Sequence, residues 1–229
     1  MKDFHQKVIS FQNELKSEDQ EHGFHRYKSW EHCYHAFGQS NIDIDHLALH
    51  LSIYLASWGM YRGSSFILEF DYKLNVEIVN IIKKHKDLYD ISFEEFGEKI
   101  PIIVKLHKEV KAYYEETLKV YSKNDKVLKV KASETLTTKI LMGSLGCVPA
   151  YDRYYKAGLK NCGIKQSFSL KGLQELFEYV SQAKINFKKT SKVLEKNSGG
   201  LKYPEMKMVD MYFFQSARKP YLSEIKIAA

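Results

Sequence analysis

The sequence predicts a mainly α protein, a compact bundle of about eight to nine helices forming one unit of two lobes divided near residue 100. Three observations predict it. Apolar residues recur at helical spacing along most of the chain. Twelve Gly and four Pro in 229 residues are few for an all-β chain, which needs many tight turns. With 44% apolar and 14% aromatic residues, the chain can bury a full core.

The elements follow in order. Phe4, Val8, Phe11 and Leu15 make an amphipathic stripe where a signal peptide would need an apolar core. Tyr27–Phe37 is a short second helix closed by Gly38. Ile44–Tyr61 is apolar nearly all round, which predicts a helix buried at the centre. Between Leu68 and Ile78 an alternating strand pattern competes with an i, i+4, i+8 helix pattern; the helix reading, about Leu74 to Lys86, is preferred because a lone strand has no partner. Pro101 suits the first turn of a long helix to about Tyr121. Lys126–Lys131 reads as a basic connector. Further helices are expected at about Ser133–Gly143, Pro149–Lys160 and Ser169–Lys196, with Asn197–Gly200 (NSGG) as a stop. Pro204 opens a last helix to about Arg218, and a tail follows.

Charge divides the chain. Of 35 Lys/Arg and 28 Asp/Glu, residues 1–100 hold 11 and 16, a net of −5; residues 101–229 hold the remaining 24 and 12, a net of +12. Clustered cations gain by displacing counterions from phosphates, so the basic part predicts nucleic acid or another polyanion as partner. Three cysteines (Cys33, Cys147 and Cys162) with no CxxC pair suit a reducing compartment. The most apolar stretch, His46 to Tyr61, falls short of the about 20 residues that span a bilayer. A cytoplasmic protein with no membrane partner is expected, and no motif calls for a cofactor.

Four constellations are candidates for chemistry. On a helical wheel Asp43, His46, His50 and Ser57 fall within about 60° of one another. The pair His46 and His50 at i, i+4 could chelate a metal, with a third ligand from the His22/His25 or His32/His35 pairs. The competing reading is a polar stripe satisfied by neighbouring groups, and no HExxH strengthens the metal.

Arg26 and His32, in RYKSWEH, resemble the R-x4-6-H signature of HEPN-type helical ribonucleases, which would imply metal-independent RNA cleavage. The alternative places both residues on a solvated face while Trp30 and Phe37 pack inward.

The run Trp58 to Ser65 ends a helix at a glycine-rich corner, where Arg62, Ser64 and Ser65 could hold an anion. The alternative is a Gly63 cap with Arg62 on the terminal carbonyls.

The strongest run is TTKILMGSLGCVPAYDRYYKAGLK, Thr137 to Lys160. Arg153, Lys156 and Lys160 share one helical face beside Tyr151, Tyr154 and Tyr155, a combination suited to phosphates and stacked bases. The lysine-rich 105–131 region and the Lys184, Lys188 and Lys192 row extend the basic surface.

This run resembles the segment of helix-hairpin-helix DNA glycosylases in which a helix, a short Gly-containing loop and a Pro precede the catalytic aspartate. Asp152 stands where that aspartate lies. The resemblance implies a carboxylate that stabilises the cationic sugar or positions a water, acting on a base flipped from the duplex. The family's Gly-x-Gly hairpin should precede the helix, and here that place reads KVLKVKASETLT, without glycine. Asp in a helical first turn also complements the dipole with no catalytic role. A helical module binding a small anion or a partner protein is the competing class.

Overall fold

The computed structural model describes residues 1–22, 27–63, 65–123 and 125–218, with the backbone alone for 17–22 and 27. It is an all-α fold. Among the described residues ten α-helices run in order: α1 (Phe4–His22), α2 (Tyr27–Gly38), α3 (Ile44–Ser57), α4 (Val76–Lys83), α5 (Phe93–Tyr113), α6 (Glu134–Ser144), α7 (Arg153–Asn161), α8 (Leu170–Gln182), α9 (Phe187–Asn197) and α10 (Glu205–Ala217). A two-stranded antiparallel hairpin, β1 (Val120–Lys123) and β2 (Lys126–Lys129), separates α5 from α6. No helix among the described residues is long and apolar enough to cross a membrane.

Side-chain caps set several starts. Ser92 and Glu95 form a capping box at α5, and Ser133 and Ser169 accept from the third residue beyond them at α6 and α8. The α1 stripe is buried along its length at Phe4, Val8, Phe11 and Leu15. Two helices form the centre: every residue from Leu136 to Ser144 on α6 and from Met206 to Phe214 on α10 is buried. Helix α7 lies against α10 so closely that a Cβ on Gly158 would meet the Phe213 carbonyl oxygen, and glycine allows that approach.

Several expectations give way to tertiary packing. Helix α3 is not buried all round: Leu49 is 40% and Ile53 54% exposed, because neighbouring elements cover one side only. The stretch from Phe66 contains no strand; two 3-10 turns (Phe66–Glu69 and Tyr72–Asn75) precede α4, the second capped by Asp71 accepting from the Lys73 N–H. Pro101 lies inside α5, which starts eight residues earlier at Phe93, just after the Ser92 cap. The charge boundary at residue 100 therefore falls within a helix. The basic connector at 126–131 is half of the hairpin. The helix expected at Pro149 begins at Arg153 with Asp152 as its N-cap, since that carboxylate takes the free N–H groups of Tyr154 and Tyr155. The long helix expected over Ser169–Lys196 is two: Lys184 sits at φ 47°, and Asn186 caps α9 by accepting from the Lys189 N–H. Residues 219–229, read as a tail, lie outside the described residues.

Candidate functional site

The polar groups that the sequence scatters over five segments meet inside the helical core. Lys139 on α6 and Lys207 and Asp210 on α10 are each at most 6% exposed. Buried charges are tolerated when paired and hydrogen-bonded, and these are. The Lys207 ammonium lies 3.0 Å from Asp210 Oδ2. The other oxygen, Oδ1, accepts from the Ala150 N–H at 3.0 Å, tying the loop before α7 to α10. Lys139 donates to the Trp58 carbonyl oxygen at 2.9 Å.

Two indoles flank these cations. The Lys207 ammonium lies 5.0 Å from the Trp30 ring centre and 5.8 Å from that of Trp58, and Lys139 lies 5.6 Å from Trp58. Trp30 is held by donating to the Met142 carbonyl oxygen at 3.3 Å. A small cavity of about 10 Å³, room for about one water, is lined by Gln12, Trp30, Trp58, Tyr203, Lys207 and neighbouring apolar residues. At its edge Tyr203 donates to Glu31 at 2.6 Å.

Asp152, half-buried at the start of α7, lies within electrostatic reach of this cluster. Burial raises its pKa from the ordinary carboxylate value and the Asp210 charge adds to the rise, opposed by the Tyr155 and Tyr154 N–H groups and by the positive charge of Lys139. The adjoining Tyr151 N–H donates to Thr138 Oγ1 at 2.9 Å, so α6 fixes the approach to the cap. The Tyr54 hydroxyl is fully buried without a hydrogen-bond partner among the described residues, and the charges of Asp210 and Asp152 act on it.

The basic residues are distributed differently. Arg153 and Lys160 are exposed on α7. The Arg153 guanidinium lies 4.5 Å from the Tyr154 ring centre and donates to its hydroxyl at 2.7 Å. Lys156 is engaged with Glu134 at 2.6 Å. Tyr151 and Tyr155, read as stacking surfaces, are buried in the core, and the half-buried Tyr154 packs edge-on against Phe214. Lys184, Lys188 and Lys192 are exposed, but Lys184 stands in the turn between α8 and α9, so the three do not form one helical row.

The other constellations resolve locally. Arg62 is exposed and folds back on the end of its own helix, its guanidinium against Gly59 where a Cβ would stand at 3.0 Å. The Ser65 N–H donates to the Arg62 carbonyl oxygen at 3.1 Å, and Ser64 lies outside the described residues. The corner thus closes on its own backbone. His46 is exposed, its Nδ1 2.6 Å from Asp43, and the half-buried His50 has its pKa lowered by burial, then by His32 and His46. Among the described residues no group of three or more His, Cys, Asp and Glu is placed to hold a metal. His25 and Arg26 lie outside the described residues, as does the His22 side chain.

The charge pattern did not single out Lys139, Lys207 or Asp210. One signal was available: each is a charge embedded in a run otherwise apolar or small, TTKILMGS and MKMVDMYFF. No protein-family model matches the chain, and no curated protein or solved structure matches it.

Proposed function

We propose that the chain binds nucleic acid through the basic surface of its C-terminal part and excises a base, with Asp152 supplying the reacting carboxylate. The observation that carries this reading is the placement of Asp152 within electrostatic reach of Lys139, in a core cluster whose neighbouring cavity is walled by Trp30 and Trp58. A half-buried carboxylate is suited to stabilising a cationic sugar as the glycosidic bond breaks and its electron pair leaves with the base; a water then adds to the sugar carbon and gives up a proton, which completes the hydrolysis. Flat indoles suit a planar base, and buried lysines suit the negative charge developing on it. The cavity has room for about one water. A base therefore enters only as its walls part, and the energy comes from phosphate contacts made outside.

The test is a panel of labelled duplexes, each with one altered base, incubated with the full chain and treated with alkali to reveal abasic sites. Release by the wild type and its loss in Asp152→Asn, with duplex affinity retained, supports the reading. Duplexes bound but never cut would overturn excision and leave a binding protein.

A further inference from the structure

Among the described residues β1 and β2 are the only strands, and they form a two-stranded ribbon. Isolated two-stranded ribbons are marginal in water, and this one is anchored on one face. Lys123 donates to the Gly63 carbonyl oxygen at 2.6 Å and pairs with Glu69 at 3.0 Å, and the Val130 N–H extends the ladder to the Lys119 carbonyl oxygen at 2.8 Å. The register pairs Val120 with Lys129 and Ser122 with Val127. Cross-strand partners share a face, so these four residues form the other one, and all four are exposed. Val127 is 71% and Val120 53% exposed.

Cations surround that face. Lys129 lies on it and Lys131 follows on the same side, whereas Lys126 is the partner of Lys123 on the anchored side; Lys119, Lys126, Lys129 and Lys131 are all exposed and have no ion pair among the described residues. At the base of the ribbon an open cleft of about 520 Å³ is lined by Lys111, Lys129 and Lys131 together with Glu115 and Glu134. Both acids are already engaged: Glu115 accepts from the Ala132 N–H at 3.1 Å and lies 3.9 Å from Lys111, and Glu134 pairs with Lys156 and accepts from the Phe168 N–H.

We infer that this outer face is a nucleic-acid contact element, entering a groove of a duplex with Lys129 and Lys131 on the phosphates and Val127 against base edges. A two-stranded ribbon fits the major groove, and exposed apolar side chains find partners in base methyl groups that water does not offer. The charge complementarity selects a polyanion, and the projecting ribbon selects one with a groove. The inference rests on the nucleic-acid reading above and assigns its contact element, a place separate from the α7 and α9 lysines.

The experiment measures anisotropy of a labelled duplex with the full chain across a salt series. The variants are the double reversal Lys129→Glu/Lys131→Glu, the single Val127→Ser, and the comparator Lys160→Glu/Lys188→Glu. The hairpin reversal should weaken binding about tenfold or more and flatten the salt slope by roughly 0.9 for each phosphate that the protein no longer neutralises. Val127→Ser should weaken binding with the slope unchanged, since it removes no charge. Thermal melts equal to wild type show that the exposed substitutions leave the fold intact. Hairpin variants that bind as wild type would overturn the inference and leave the nucleic-acid reading standing. Wild-type protein that binds no duplex at low salt would overturn both. Unchanged duplex binding with lost binding to phosphatidylserine vesicles would make the ribbon a membrane contact and sink the inference.

Discussion

Lys207 and Asp210 form an ion pair 3.0 Å apart on α10, one turn from each other, with both side chains over nine-tenths shielded from water. A pair so placed contributes little net stability over apolar residues of the same volume, yet breaking it leaves an uncompensated buried charge. The two halves are unequal. Asp210 also holds the Ala150 N–H and lies near Asp152, whereas Lys207 adds contacts with Met142 and the two indoles.

Asp210→Ala should therefore destabilise the protein by about 3–5 kcal/mol, because it strands Lys207 and frees the Ala150 N–H. The double variant Lys207→Met/Asp210→Asn keeps an acceptor for Ala150 and removes both charges, so it should cost less than the single. Urea unfolding of the two variants side by side checks the order. A double variant less stable than Asp210→Ala would show that the cations and indoles, and not charge balance, hold this cluster.

Asp152 combines a cap with a charge, and two substitutions separate them. Asparagine caps helices about as well as aspartate, whereas alanine forfeits about 1 kcal/mol. Asp152→Asn should thus stay close to wild type in denaturant midpoint, apart from the relief of like charge beside Asp210, while Asp152→Ala falls. Equal melting of the alanine variant and the wild type would show that the two hydrogen bonds to Tyr154 and Tyr155 do not support α7.

His107 supplies a pH dependence. Its Nε2 lies 2.7 Å from Thr137 Oγ1, its ring packs on Phe168 at 4.3 Å, and burial pulls its pKa down to about 4. In the unfolded chain the value is about 6.5. Between these two values the unfolded state binds the extra proton, so stability falls as pH drops from about 6.5 to about 4 and levels off below. The loss from this group approaches about 3 kcal/mol. His107→Leu should flatten that interval in denaturant melts taken at successive pH values. An unchanged slope would assign the acid sensitivity to other groups.

Much of the architecture was legible because its causes are local. The Phe4–Leu15 stripe is buried as its spacing requires, and Pro204 and the NSGG segment bound α10 and α9, with Gly199 and Gly200 at positive φ. The run from Ser133 folded as α6 because Ser133 caps it. The candidate site was half legible: Asp152 stood out from its run, whereas its neighbour Lys139 did not. Lys139 is bound to the Trp58 carbonyl oxygen, 81 positions away in the chain, and no helical period reports such a partner.

The sequence by itself determined that this chain is helical, where most of its helices lie and that its cations gather after residue 100. Those properties follow from side-chain spacing, caps and composition, which act within a few residues. Only the tertiary structure decided which charges went inside, which side of α3 stayed wet, and that Val120–Lys129 became a ribbon. A charge is buried only where distant segments bring its counter-charge and acceptors, and a strand exists only through its partner. Both depend on contacts that no stretch of chain contains alone.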